Sequence, residues 1–244
     1  MLITGGNSGI GLGMASAVGA AGANVIIWGR NTRKNDAAVD RLRQEEVTVD
    51  AVACDVSDAA EIATAFERSV TVAGGRIDSV FANAGTSGNG MPFFELSLEE
   101  WRRVMTINLD AVFLTLQAAA RHMVTTGGGA LVAVSSTSAI HGAAGNEAYG
   151  TSKTAVLGLV RALAVGLARH QIRVNALLPG WTITDLAARG YEDDRFREVT
   201  TSRTPVRRWA SPDEMGPAAV FLADPQVTFH TGDAIVVDGG YTIK

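Results

Sequence analysis

The 244-residue chain has a single cysteine, Cys54, so neither an internal disulfide nor a cysteine-only metal cluster can form within it. Its four histidines (His122, His141, His170, His230) lie far apart with no HxxxH or HxH spacing, which argues against a zinc site. Charge is sparse, 19 % of residues against roughly 25 % in ordinary globular proteins. The 21 basic and 25 acidic residues leave a net charge of −4, a balance that speaks against a nucleic-acid or anionic-membrane partner. No run approaches the roughly 20 apolar residues of a membrane helix. The opening Met1-Leu2-Ile3-Thr4-Gly5 lacks the basic region of a signal peptide, so the expectation is a soluble, cytoplasmic protein with no metal. Repeats, low-complexity tracts and Pro/Ser linkers are also missing. What the chain has in excess is glycine, 27 residues, about 11 % against roughly 7 % on average. Extra glycine with few charges predicts tight turns and a large buried sheet.

Short apolar runs alternate with longer segments of period near 3.6. The runs are residues 1–3, 24–28, 48–53, 77–82, 130–135, 173–178 and 234–237. Several are continuously apolar and rich in Val, Ile and Leu, as a parallel strand buried on both faces requires. The helical patterns are residues 10–21, 32–45, 59–72, 97–123, 147–170 and 211–223, and Ser97 with Glu100 fits a capping box opening the fourth. Strand–helix alternation over the whole length predicts an α/β fold: a doubly wound parallel sheet of seven strands with helices on both faces and right-handed crossovers. Residues 1–244 read as one domain. The stretch 182–209 breaks the rhythm. It is polar, with Tyr191 and Phe196 as isolated apolar anchors, and it follows the carboxyl end of a strand, where open α/β sheets bind ligands. It reads as a lid over a substrate.

Thr4-Gly5-Gly6-Asn7-Ser8-Gly9-Ile10-Gly11 follows the first run and opens the first helical pattern. A glycine-rich strand-to-helix turn lets backbone N–H groups approach a pyrophosphate at the positive end of a helix. The spacing is Gly-xxx-Gly-x-Gly, and without a following Gly-Lys-Ser/Thr it is not a P-loop. The second run ends Trp28-Gly29-Arg30-Asn31. Dinucleotide folds usually carry an acid there for the adenosine ribose, but here Gly29 stands in its place and Arg30 follows. A missing carboxylate and an added guanidinium suit a 2′-phosphate, which favours NADP(H), with NAD(H) the alternative. Cys54-Asp55-Val56 closes the third run. Asp55 can accept from an adenine amino group or cap the next helix, a role open also to Ser57 and Asp58. Asn83-Ala84-Gly85 closes the fourth with residues small enough for a cofactor to pass near the backbone.

Tyr149 and Lys153 are spaced by four in a helical pattern, which sets phenol and ammonium on one face, one turn apart. A neighbouring ammonium lowers a phenol's pKa from near 10. Such a phenol can exchange a proton with an alcohol oxygen near neutral pH. Ser135-Ser136 ends the fifth run at the same edge of the sheet.

With Thr4-Gly5-xxx-Gly9-x-Gly11, Asp55, Asn83-Ala84-Gly85, Asn108, Ser136, Tyr149-xxx-Lys153, Pro179-Gly180 and Val237-Asp238-Gly239-Gly240 in this order, the chain resembles the short, single-domain branch of the short-chain dehydrogenases/reductases, notably its 3-oxoacyl-carrier-protein reductase-like members. The resemblance implies a Rossmann fold and hydride transfer between a nicotinamide and a carbonyl or secondary alcohol. It implies Tyr149 as catalytic acid/base and Lys153 as the group that lowers its pKa and holds the nicotinamide ribose. Ser136, rather than Ser135, would bond the substrate oxygen. Asn108 would orient a water behind Lys153, kink a long helix, or do both. Cofactor contacts are implied for Gly5, Asn7, Ser8, Gly9, Ile10, Gly11, Gly29, Arg30, Asn31, Asp55, Val56, Asn83, Ala84, Gly85, Pro179 and Gly180. Thr182 or Thr184 would reach the carboxamide or a phosphate. Two features depart from the pattern. Relatives usually carry several more residues before the Thr-Gly turn. NADP-preferring relatives often carry a basic residue where Ser8 stands, which leaves NAD open.

Ser138, Ile140, His141, Asn146, Trp181, the loop 88–94 and the lid are expected to line the substrate pocket. That mixture fits a small polar ketone, a sugar-derived ketone or a β-ketoacyl thioester. A ketoreductase is the first expectation. A dehydrogenase of a sugar-derived or other small polar alcohol using NAD is the alternative, and a non-catalytic dinucleotide sensor is third, disfavoured because all four catalytic positions are filled. Basic residues for docking an acyl carrier are only half present, with Gly127-Gly128-Gly129 at one place and Arg169-His170 at the other. The family usually forms tetramers through segments like 97–123 and 147–170 and the last strand. Ala155, Val156, Leu159, Leu163, Val165 and Leu167 make the second of these apolar on more than one face, so a homotetramer is expected.

Overall fold

Each apolar run forms a strand in the computed structural model, which describes residues 1–142 and 144–244. The strands are β1 (Leu2–Thr4), β2 (Val25–Gly29), β3 (Val49–Ala53), β4 (Ser79–Ala82), β5 (Gly129–Val134), β6 (Ile172–Pro179) and β7 (Ala234–Val237). All pair in parallel, in the order β3-β2-β1-β4-β5-β6-β7. Alternate side chains of each strand enter opposite cores. Leu131 and Ala133 join Trp28, Val80 and Val174 on one face, packed against α3 (Ala59–Val72), α5 (Ala111–Thr126) and α6 (Glu147–Leu167). Val132 and Val134 join Ile27, Phe81 and Leu177 on the other, against α1 (Gly9–Ala20), α2 (Thr32–Gln44) and α9 (Gly216–Ala223). Burial on both faces is why the runs of β2 and β5 are unbroken in the sequence, while the edge strands β3 and β7 are only partly buried. Each such side chain contributes about 1.5–3 kcal/mol relative to exposure.

The chain winds outward from β1 to β3 and then returns to place β4 on the other side of β1. Successive crossovers diverge there, and the divergence opens a crevice at the carboxyl ends of β1 and β4.

Three local expectations are corrected. Segment 97–123 is not one regular helix: α4 (Leu98–Met105) passes into α5 through a wide π turn at Thr106–Asp110 that contains Asn108. The capping box at its start is half formed. Ser97 Oγ accepts from the Glu100 N–H at 3.1 Å, but the Glu100 carboxylate bonds Arg103 at 2.7 Å instead of returning to Ser97. The segment 182–209, expected to be a lid, is also more ordered than its polarity suggested, with short helices α7 (Ala188–Glu192) and α8 (Asp194–Arg203). Tyr191 and Phe196 are not isolated in it: both rings pack on Trp209, whose ring stacks on Trp181 at 5.0 Å. The segment Glu147–His170 is long and apolar enough to cross a membrane by composition. In the fold it lies along the sheet, burying Val156, Val160 and Ala164.

Candidate active site

A cleft of about 550 Å³ follows the crevice. At one end the glycine turn leaves β1 through Gly5, whose φ of +63° is a left-handed conformation that a side chain would strain. A Cβ on Gly11 would collide with the Gly5 carbonyl oxygen. The side chain of Ser8, the N-cap of α1, makes no hydrogen bond to the helix, and no acidic residue lies in its first turn. The first N–H groups of α1 thus face the cleft uncapped, at the positive end of the helix dipole. This is a cradle for a pyrophosphate, so the residues present fit a dinucleotide. Beneath the turn, Asn83 Nδ2 donates to Thr4 O at 2.9 Å, while Thr4 Oγ1 accepts from the N–H groups of Asn83 and Ala84, both at 2.9 Å.

The adenosine end lies at β2. A Cβ on Gly29 would collide with the Asn7 amide, which donates to Asn35 Oδ1 at 2.7 Å. Asn35 Nδ2 in turn donates to Gly29 O at 2.8 Å. This pair occupies the space an acidic side chain would need. Arg30 is 76 % exposed and faces Asp55 at 3.9 Å. Asp55 Oδ1 accepts from the Ser57 N–H and hydroxyl, which hold its carboxyl below the usual range. Asp58, not Asp55, caps α3. Asn31 caps α2, accepting from Lys34 N at 3.1 Å.

At the other end, α6 brings Tyr149 and Lys153 to the cleft and β5 delivers the two serines, pointing apart. Ser135 Oγ is buried and donates to Lys153 O at 2.7 Å. Ser136 Oγ accepts from Ser138 N at 3.1 Å and shares the cleft with the Tyr149 phenol. Lys153 Nζ donates to Val134 O at 2.9 Å and lies 5.7 Å from the Tyr149 ring centre. The expected depression of the phenol is not seen. Burial pushes the Tyr149 pKa up, partly opposed by the Ser136 hydroxyl. Burial brings the Lys153 ammonium down to about 8. Asn108, fully buried, lies behind this group. Its Oδ1 accepts from Thr86 N at 2.8 Å, and its Nδ2 donates to Thr86 O and Ser152 Oγ. Wide turns of this kind recur at functional sites.

The other cofactor positions named from the sequence, from Ile10 and Val56 through Gly85 to Pro179, Gly180, Thr182 and Thr184, also line the cleft, as do Ser138, Asn146 and Trp181. Asn146 Oδ1 accepts from Gly88 N at 3.3 Å. His141 and Ile140 are not brought in. The His141 ring packs on Tyr241 at 5.3 Å and Ile140 is exposed. The loop 88–94 also stays outside, with Phe93 and Phe94 in solvent. Asp185 and Leu186 of the stretch 182–209 reach the cleft, and Lys34, Thr86, Ser87 and Arg103 line it without having been singled out. Lys34, in the first turn of the helix after the ribose position, was the most readable of these. Arg103 is held by Glu100, Thr86 Oγ1 and Ser87 O, contacts that only the folded chain reveals.

Comparison with known proteins agrees with this geometry. A family model described as "Enoyl-(Acyl carrier protein) reductase" matches residues 5–242. Gluconate 5-dehydrogenase of Gluconobacter oxydans (strain 621H) is 34 % identical over 246 residues, covering all of this chain and 94 % of its own. The 5-keto-D-gluconate 5-reductase of Escherichia coli (strain K12) is 37 % identical over 243 residues, covering all of this chain and 95 % of its own. The crystal structure of a gluconate 5-dehydrogenase from Burkholderia cenocepacia J2315 in complex with NADP and tartrate superposes with a TM-score of 0.93 at 34 % identity, covering all of this chain and 94 % of that one.

Proposed function

Since the chain belongs to the short-chain dehydrogenase/reductase family and is an oxidoreductase acting on CH–OH groups with a nicotinamide coenzyme, we propose that it interconverts a ketone and a secondary alcohol on a small polyhydroxylated acid or polyol, using NADP(H). The observation that carries this reading is the meeting of Ser136, Tyr149 and Lys153 in the cleft that the uncapped glycine turn opens. A nicotinamide held there would supply hydride chemistry, to the carbonyl carbon of a ketone in reduction and from the C–H of the alcohol carbon in oxidation. Tyr149 gives its phenolic proton to the carbonyl oxygen, or as phenolate takes the proton of the alcohol. The Ser136 hydroxyl, already fixed by Ser138 N, donates to the same oxygen. The Lys153 ammonium, pinned on Val134 O, stabilises the phenolate once it forms. Asn108 positions the strand end at Thr86 and the helix at Ser152 behind it.

The substrate class follows from two supports. The open end of the cleft is lined by Ser138, Asn146, Thr86, Ser87 and Arg103, a polar wall suited to hydroxyl groups. Gluconate and 5-keto-D-gluconate are named for the relatives. Residues 182–209 act as the lid, working in the cytoplasm on a soluble substrate. An apolar groove between α5 and α6, lined by Phe113, Leu116, Leu163 and Leu167, and the exposed Val165 and Phe229 support a homotetramer.

The test is coenzyme oxidation with 5-keto-D-gluconate and with a short β-ketoacyl thioester, each with NADPH and NADH. Turnover of the keto acid with NADPH is expected. Turnover of the thioester alone would move the protein to the ketoacyl branch. Arg30→Ala should weaken NADPH binding far more than NADH binding, and equal effects would remove the 2′-phosphate contact.

A further inference from the structure

The glycine turn, residues 4–11, carries no basic side chain. Cations for a 2′-phosphate must therefore come from the β2–α2 side, where two stand at the cleft mouth. Arg30 rests on Asp55 and Lys34 on Asp185, at 3.9 and 2.8 Å. We propose that Lys34 is a second coenzyme-selecting group, which binds the 2′-phosphate of NADP(H), and that Asp185 is the carboxylate that competes for it. The proposal rests on the NADP(H) reading above.

Lys34 is placed for this role by its helix. Its N–H is held by Asn31 Oδ1, so its side chain leaves the first turn of α2, beside Arg30. Asp185 comes from the root of the lid, directly after Thr184, whose methyl lies 3.1 Å from where a Cβ on Gly9 would stand. Among the described residues, the Lys34–Asp185 contact is the one hydrogen bond joining residues 30–44 to the lid. Both side chains are mostly in solvent, 54 % and 78 % exposed. Exposed pairs of this kind are weak. A phosphate dianion is a stronger partner for an ammonium than one solvated carboxylate. NADP(H) would draw Lys34 from Asp185, and NAD(H), lacking the phosphate, would leave the pair intact. Because the competing carboxylate belongs to the lid, the choice of coenzyme and the anchoring of the lid are linked, and the linkage is reciprocal.

Equilibrium titration with NADPH and NADH, read by calorimetry on the folded protein without substrate, tests this. Lys34→Gln should raise the NADPH Kd roughly tenfold, the loss of one charge-assisted contact, with the NADH Kd changed less than about twofold. Asp185→Asn should tighten NADPH binding, about twofold to fivefold for one released weak pair, and leave NADH unchanged. The double variant should match Lys34→Gln alone, since Asp185 acts only through Lys34. Equal effects of Lys34→Gln on both coenzymes, or an Asp185→Asn gain that persists in the Lys34→Gln background, would overturn the proposal. Arg30→Ala separates the two levels. If it discriminates the coenzymes and Lys34→Gln does not, this proposal alone fails. If neither does, the NADP(H) reading fails with it.

Discussion

Replacing Lys153 by Met should make the coenzyme-free protein's stability less dependent on alkaline pH, and the size of the change follows from the burial of the ammonium. The side chain is 3 % exposed and its pKa falls from 10.5 to about 8. The cause is desolvation, which disfavours the charged form. Between about pH 8 and 10.5 the unfolded chain keeps the proton and the folded chain does not. Wild-type stability therefore gains with rising pH across that window, and the full penalty is present below it. At about 1.4 kcal/mol per pH unit the penalty near pH 7 is about 3 kcal/mol. Methionine has a similar volume and no charge. It forfeits the 2.9 Å bond to Val134 O, worth about 1 kcal/mol. Lys153→Met is thus expected to be more stable than wild type at pH 7 by up to about 2 kcal/mol, and to lose about 2 kcal/mol of that advantage by pH 9.5. Urea unfolding at fixed protein concentration, at several pH values between these limits, measures it. Parallel stability curves for the two proteins would refute the buried-ammonium reasoning whatever their offset.

Tyr149→Phe should lower kcat by about 10²- to 10⁴-fold while the coenzyme Kd stays within a factor of about two; steady-state rates and a binding titration check both, and full turnover would sink the assigned mechanism. Gly11→Ala places a methyl against the Gly5 carbonyl oxygen, so the turn must open: the coenzyme Kd should rise at least about tenfold, with a lower Tm by calorimetry. Trp209→Ala removes a 4 %-exposed ring that stacks on Trp181 and donates to Thr200 Oγ1 at 2.9 Å. It should cost about 3–5 kcal/mol in urea unfolding and speed proteolysis at the arginines of residues 182–209; unchanged cleavage would show that this ring does not hold the lid.

The central sheet was readable because both its faces are buried, so β2 and β5 appear as unbroken apolar runs. The doubly wound class followed from alternation with helices, whereas the order of strands, and with it the crevice, is a property of the folded sheet. The helices of residues 182–209 were not readable. α8 (Asp-Arg-Phe-Arg-Glu-Val-Thr-Thr-Ser-Arg) buries only Thr200 fully, so it lacks an apolar stripe. Its support comes from Trp181 and Trp209, at opposite ends of the segment, and from Tyr241, whose ring lies 6.3 Å from Trp181 and 4.3 Å from the Arg203 guanidinium. The π turn at Thr106–Asp110 spans only five residues and is continuous with α4 and α5, too short for periodicity to reveal. His141 misled for a related reason. It follows Ser136 closely in sequence, but the single turn Thr137–Ala139 redirects the chain and its ring goes to Tyr241. Spacing within one helix predicted the Tyr149–Lys153 pair; no spacing could predict Lys34 against Asp185, which are 151 residues apart.

Three consecutive residues at the end of one strand hold the chemical end of the cleft. Val134 O accepts from the Lys153 ammonium, Ser135 Oγ donates to the Lys153 carbonyl, and Ser136 lines the cleft with the Tyr149 phenol. Because successive residues of an extended strand point apart, neighbouring serines do different work: one fixes the helix, the other meets the reacting oxygen in the proposed mechanism. The geometry of proton transfer is thereby tied to the buried β5 rather than to a loop, the arrangement that keeps a site within the small tolerances catalysis needs. The walls that would select a substrate are built differently. Ser138, Asn146 and Trp181 sit on connections, and the segment 182–209 is anchored by aromatic stacking and one exposed ion pair. Substitutions there can change which ketone enters while leaving the Ser136–Tyr149–Lys153 geometry in place. The same strand end can thus serve relatives named for different sugar acids and polyols.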